Sequence, residues 1–338
     1  MTTIGLDIGG ANLKLATSDG GADHRPFALW RQPEQLADEL AAMLAPYPRQ
    51  AALGVVMTGE LADCFATRTE GVVAIARAVE RAAPDRPLAF FGLDGQWHVR
   101  RDVDRRPLEF SAANWLALAA WVADRFPQAD LLIDVGTTTT DIIALSNGRP
   151  APRARDDVGR LATSELLYRG VVRTPLFGLA PTVPYRNLHL PLVPEFFATT
   201  LDIYIVREQL EQHVWNDHTA DGRPADLASS RARLGRAILV TEPDAFQHDD
   251  VRVVAETLHE SLVEQLGACL GNVLDRTADA APVAVVSGTG EFLAREAVAR
   301  RFAAPHHMVS LTETLGAMRS MCAPAFAAAM LLAAELSS

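Results

Sequence analysis

Apolar positions along this chain follow two periods, and the switches between them mark its elements. Short apolar or alternating runs predict strands at Thr3–Asp7, Leu13–Ser18 and Ala52–Met57. Helical spacing predicts helices at Gln32–Leu44, Thr69–Ala82 and Ala112–Arg125. In the last of these Trp115, Leu118, Ala119 and Val122 share one face. Such alternation predicts a mixed α/β sheet with helical crossovers.

The pattern restarts at Leu131. Strands are predicted at Leu131–Val135 and Asp141–Ser146, joined by four threonines and followed by an Asn147-Gly148 tight turn. Prolines crowd residues 149–200 (Pro150, Pro152, Pro175, Pro181, Pro184, Pro191, Pro194) and oppose long regular elements there. An irregular insertion forming part of a substrate wall is expected. Helical spacing returns at Ala225–Leu239 and Asp249–Arg276. A strand at Val283–Ser287 leads through Gly288-Thr289-Gly290 into a helix from Glu291. The apolar run Ala325–Ala334, after Pro324, reads as a buried C-terminal helix.

The restart is also a repeat. Ile4-Gly5-Leu6-Asp7-Ile8-Gly9-Gly10-Ala11-Asn12-Leu13-Lys14 and Leu132-Ile133-Asp134-Val135-Gly136-Thr137-Thr138-Thr139-Thr140-Asp141 share one plan. Each is a strand, then Asp-apolar-Gly, a small or hydroxylated turn, and a second strand. Asp7 aligns with Asp134, Gly9 with Gly136, and Lys14 with Asp141. Two similar domains with a cleft between them are expected: residues 1–128 plus a C-terminal helix at 323–338, and residues 129–322. Inward backbone N–H groups of such turns bind anionic oxygens, and glycine lets the backbone approach. Gly9, Gly10, Ala11, Asn12, Lys14, Gly136, Thr137, Thr138 and Thr139 are therefore candidate phosphate binders, with a third turn at Gly288, Thr289 and Gly290. Asp7 and Asp134, at strand ends, suit Mg²⁺.

Thr58-Gly59-Glu60-Leu61-Ala62-Asp63-Cys64 follows a strand's C-terminal end, where open α/β sheets place ligands. Glu60 and Asp63 there, and Asp141 beside the second turn, are candidates for the general base. Thr200 and Arg223 are weaker substrate-binding candidates; Arg223 suits a carboxylate or phosphate.

Bulk composition narrows the class. The chain has 338 residues, 49% hydrophobic and 22% charged, which fits a soluble globular protein. A net charge of −11 argues against nucleic acid and anionic membrane as partners. Cys64, Cys269 and Cys322 form no metal or redox motif, and His306-His307 reads as surface. With no basic leader and no long apolar span, a cytoplasmic location is expected. Assembly into a homo-oligomer is left open.

These motifs resemble those of the actin/sugar-kinase/Hsp70 ATPase superfamily. Asp7 to Asn12 is similar to its first phosphate loop, Asp134 to Thr138 to its second, and Val285 to Phe292 to its third, adenosine-side loop. The resemblance runs over nearly the whole chain. It implies an α/β fold of two actin/ribonuclease-H-like domains, with mixed sheets flanked by helices and the active-site cleft between them. A closer resemblance is to the hydantoinase/oxoprolinase-related branch of tetrahydromethanopterin-linked C1 transfer pathway proteins. It rests on Thr58 to Phe65, Ala112 to Trp115, Asp134 to Asp141, Arg173-Thr174-Pro175, Phe197 to Thr200 and Ala220 to Pro224. Archaeal members join an aminomethylfuran diphosphate to the phenol oxygen of γ-glutamyltyramine and release pyrophosphate. The resemblance implies a similar step toward methanofuran or methylofuran, with a phenolic amine or amino acid as acceptor. The third loop departs from the family's Gly-Gly pair, with Glu291 and Phe292 following Gly290, which disfavours ATP. An ATP-dependent kinase or amidohydrolase is the alternative, and a non-catalytic scaffold the second alternative.

Overall fold

The computed structural model describes residues 2–242, 244–274, 282–302 and 307–337. Met1, Asp275–Arg276 at the end of an expected helix, Pro305-His306 and Ser338 lie outside the described residues. In the first half β1 (Ile4–Ile8), β2 (Asn12–Thr17) and β3 (Ala22–Pro26) make an antiparallel meander. Helix α1 (Leu36–Leu44) then crosses to β4 (Leu53–Met57), parallel to β1. Helix α2 (Arg68–Ala82) crosses to β5 (Leu88–Phe91), parallel to β4, and β6 (Trp97–His98) closes the edge antiparallel. Helices α3 (Arg100–Arg105) and α4 (Asn114–Arg125) lead out.

The second half repeats this plan. β7 (Leu131–Val135) and β8 (Thr140–Ser146) form the hairpin, and β9 (Arg149–Pro150) pairs with β8. After α5 (Asp157–Ala162), β10 (Leu166–Leu167) takes the place of the third meander strand. A separate hairpin of β11 (Thr182–Tyr185) and β12 (Leu188–Pro191) follows, then α6 (Thr200–Val206), α7 (Leu227–Arg236) and α8 (His248–Leu274). β13 (Val283–Ser287) is parallel to β7, α9 (Glu291–Arg301) crosses over, and β14 (His307–Ser310) is parallel to β13. Helices α10 (Leu311–Leu315), α11 (Ala317–Met321) and α12 (Ala323–Glu335) end the fold. The strand orders are β3-β2-β1-β4-β5-β6 and β10-β8-β7-β13-β14. This is the expected α/β class, with mixed sheets flanked by helices.

The stretch 149–200 is more regular than its prolines suggest. Asp156 caps α5 by accepting from Gly159 N at 3.0 Å, and at the start of α6 Asp202 Oδ2 accepts from Thr199 N at 3.0 Å. Pro150, Pro184 and Pro191 sit in short two-stranded pairings, where a missing N–H is tolerated, and Pro152, Pro175, Pro181 and Pro194 lie between the named strands and helices.

Side-chain alternation sorts the strands into layers. Ile4, Leu6, Ile8, Leu13 and Leu15 face the outer core under α1 and α2. Ile133, Val135, Ile142 and Val286 face the other outer core, with α6, α8 and α9. Between the sheets lie α4 and α12, packed on Val56 of the first and on Leu132, Ile143 and Val285 of the second. The fit is close: a Cβ on Gly5 would stand 1.9 Å from Ala325 O in α12. Alternation therefore also turns Asp7, Lys14, Asp134 and Asp141 toward the inner layer, where the helices leave a cleft.

Candidate active site

Both hairpins turn in the same way. Gly9 N donates to Asn12 O at 3.0 Å, and Gly136 N donates to Thr139 O at 2.8 Å. Asp7 stands in register with Lys14, and Asp134 with Asp141, as the repeat predicts. All four, with both turns, line one cleft of about 570 Å³.

Asp7 lies 3.9 Å from Lys14 Nζ through Oδ2, while its buried Oδ1 has no partner. Burial raises its carboxyl above the usual range, opposed by Lys14. Burial and the Asp141 charge raise Asp134 to about 6. Asp141 is also raised by burial, and Arg160 opposes the rise. Arg160 Nη2 donates to Asp141 Oδ1 at 2.7 Å and to Glu165 O at 3.1 Å, and its guanidinium stacks 4.0 Å above the Trp115 ring.

Glu60 follows β4 on a tight turn and is 1% exposed, yet it reaches the cleft wall. The approach of α2 fixes it, since a Cβ on Gly71 would lie 2.4 Å from Glu60 O. Ser111 Oγ donates to Glu60 Oε1 at 2.5 Å, and Oε2 has no partner. Burial pushes this carboxyl up to about 7. Asp63 lines the cleft beside it.

Other candidates stand elsewhere. Gly288, Thr289 and Gly290 do not line the cleft. Gly290 N donates to Val135 O at 2.9 Å, and a Cβ on Gly288 (φ +90°) would meet Val135 O at 2.4 Å. The third loop thus seats on the end of β7. Thr200 is buried and donates to Gly170 O at 2.8 Å while accepting from Thr174 N at 3.3 Å, a bracing role within the fold. Arg223 sits on an exposed turn, 3.8 Å from Asp221, and does not reach the cleft. The buried guanidinium nearby is Arg233, bonded to Asp202 and Asp221. Sequence reading missed Arg160, Trp30, Arg173 and His218 in the cleft wall. Trp115 was read only as a core residue. Its place in a segment shared with the related branch was the available signal.

Fold and site together define an α/β protein in which two like hairpins, one from each mixed sheet, line a single cleft. Residues 52–335 match the hydantoinase/oxoprolinase family, and the chain belongs to it. It is 31% identical over 337 residues to the (4-{4-[2-(gamma-L-glutamylamino)ethyl]phenoxymethyl}furan-2-yl)methanamine synthase of Methanocaldococcus jannaschii, covering 98% of each chain. The synthase of that name from Methanococcus vannielii is 28% identical over 221 residues, 65% of this chain and 98% of its own. Among solved structures, nucleotide-free acetone carboxylase shares the fold at 10% identity with a TM-score of 0.53, over 97% of this chain and 70% of that one. Among the described residues no helix is long and apolar enough to cross a membrane.

Proposed function

We propose that this chain is a transferase that builds an aryl ether. It joins an aminomethylfuran diphosphate to the phenol oxygen of a tyramine- or tyrosine-type acceptor and releases pyrophosphate, a step toward methanofuran or methylofuran. The relatives' product name contains that phenoxymethyl-furan linkage, and the likeness to one of them spans nearly the full chain. One structural observation supports the reading above others. A buried carboxyl raised to about 7, Glu60, lies in the same cleft wall as two phosphate-type hairpins.

On this reading the turns at Gly9–Asn12 and Gly136–Thr139 hold the diphosphate through backbone N–H groups and hydroxyls. The bond from the furan methylene carbon to the diphosphate oxygen breaks, and its electron pair leaves on pyrophosphate. The furan ring delocalises the positive charge left on the methylene. The phenol oxygen forms the new C–O bond, and its proton passes to Glu60 Oε2. A phenol with a pKa near 10 gains from such a base at neutral pH.

Asp7 and Asp134 fit Mg²⁺, since Asp7 Oδ1 is buried without a partner and burial raises both carboxyls. Among the described residues they belong to no three-ligand cluster within 4.8 Å. That suits a cation held by one or two carboxylates and by substrate phosphate oxygens. When bound, the cation offsets charge on the leaving pyrophosphate.

Calorimetric titration with Mg²⁺ plus pyrophosphate, and separately with Mg²⁺ plus ATP, tests the reading. Pyrophosphate binding is expected, followed by ether product in mass spectra from the furan diphosphate and a phenolic acceptor. ATP binding with hydrolysis, and no ether, would replace it with the ATP-using alternative.

A further inference from the structure

Four cationic side chains line the cleft: Lys14, Arg31, Arg160 and Arg173. Lys14 faces Asp7 and Arg160 is bonded to Asp141, so both are spoken for. Arg31 is exposed. Arg173 is half-buried and makes no salt bridge within 4.0 Å among the described residues, although the charge of Asp63, another cleft residue, acts on it. Its guanidinium instead lies 5.0 Å from the ring centre of Trp30, which belongs to the opposite half.

Each member of this pair is tied to a phosphate turn. Arg173 N donates to Thr137 O at 2.9 Å, Val172 N to the same oxygen at 3.1 Å, and Val171 N to Gly136 O at 3.1 Å. The chain behind the second turn is pressed so close that a Cβ on Gly170 would stand 2.5 Å from Thr138 N. On the other side Leu29 N donates to Gly10 O at 3.0 Å, and Phe27 N to Ala11 O at 3.0 Å. Trp30 is thus carried by the first turn, and Arg173 by the second. A guanidinium presents a planar fork that matches phosphate oxygens, and stacking on an indole face orients it without neutralising it. A guanidinium with no close salt bridge, carried by the second turn and stacked on a residue carried by the first, suits a polyanion held between the two turns.

We propose that Arg173 grips the diphosphate of the leaving group, held ready across the cleft by Trp30. This rests on the transferase reading above. Arg173 then binds diphosphate in the ground state and stabilises the pyrophosphate as the C–O bond breaks.

The test compares wild type, Arg173→Gln, Arg173→Lys and Trp30→Leu, with melting temperatures recorded for each. Binding of Mg²⁺-pyrophosphate is measured by calorimetry, and kcat and acceptor KM by ether formation. Arg173→Gln is expected to weaken pyrophosphate binding about 10- to 100-fold, as for loss of a hydrogen bond to a charged group. Acceptor KM should move much less. Arg173→Lys should recover part of the loss, and Trp30→Leu should show a smaller weakening at an unchanged melting temperature. If Arg173→Gln fails to fold, Trp30→Leu decides. Wild-type pyrophosphate affinity in Arg173→Gln, or in a folded Trp30→Leu if that variant must decide, overturns the proposal while leaving the transferase intact. A raised acceptor KM with unaltered pyrophosphate binding overturns it in favour of an acceptor role. A wild-type protein that binds no pyrophosphate overturns both readings together.

Discussion

Replacing Glu60 by Gln separates its chemistry from its cost to the fold. The carboxyl is 1% exposed and raised from 4.5 to about 7, chiefly by burial. Near pH 7 about half of the molecules therefore carry the ionised base. At pH 6 about one tenth do, and at pH 8 about nine tenths. Turnover should rise with pH through this range and level off above it. General bases contribute about 10²- to 10⁴-fold, so Glu60→Gln should lose kcat on that order while keeping pyrophosphate affinity. Stability should move the opposite way. Because the folded carboxyl holds its proton longer than the unfolded one, wild-type stability falls as pH rises from 4.5 to about 7. The loss is roughly 3 kcal/mol, complete above pH 7 and absent below pH 4.5. Gln preserves the acceptor for Ser111 and removes the charge. The variant should therefore melt a few degrees higher than wild type at pH 8, and equally at pH 4. Ether formation by mass spectrometry across pH 5.5–9 and calorimetric melting at both pH values check the pair of claims. Wild-type turnover in the variant, or a pH profile with no break near 7, would refute Glu60 as base.

Asp7→Asn should abolish the Mg²⁺ dependence of pyrophosphate binding, read by calorimetry, with little loss of melting temperature. Arg160→Met leaves Asp141 buried without its partner and should cost about 3–5 kcal/mol in denaturant unfolding, with the double variant Arg160→Met/Asp141→Asn regaining part of it. An unchanged midpoint for the single variant would mean that the pair holds nothing together. Thr200→Val leaves the buried Thr174 N without its acceptor and takes one of two hydroxyl donors from Gly170 O, and should cost about 1–3 kcal/mol of stability with kcat and acceptor KM intact. A raised acceptor KM at wild-type stability would return Thr200 to the substrate.

What was legible in the sequence follows from locality. A hairpin writes its own register, so Asp7 opposite Lys14 and Asp134 opposite Asp141 could be read from spacing alone. The apolar alternation also shows that the two sheets have outer and inner faces. Arg160 was not legible because it joins Asp141 from a six-residue helix inside a proline-rich stretch, across two intervening turns. Trp30 and Arg173 meet only after the two halves close. Arg223 stands among Asp-Gly and Arg-Pro turn dipeptides and is exposed, whereas the buried arginine of that region is Arg233. The better signal lay ten residues on, where Ser230, Arg233 and Leu234 share a helical face and an arginine on an apolar stripe demands a buried partner.

The inner helical layer has a consequence for how the protein is made. Thr3 Oγ1 donates to Ala329 O, a contact between residues 326 positions apart. Gly5 and Gly54 present bare backbone to α12. On the ribosome, the first sheet is synthesised early, but α12 can pack on its inner face only after the second sheet has been made. Until then the part of that face that α4 leaves uncovered is apolar, open and next to strands free to mispair. Nascent-chain survival should therefore hinge on chaperone shielding during that interval, and a premature stop before Ala323 should yield an insoluble product even though both cleft hairpins have already been translated.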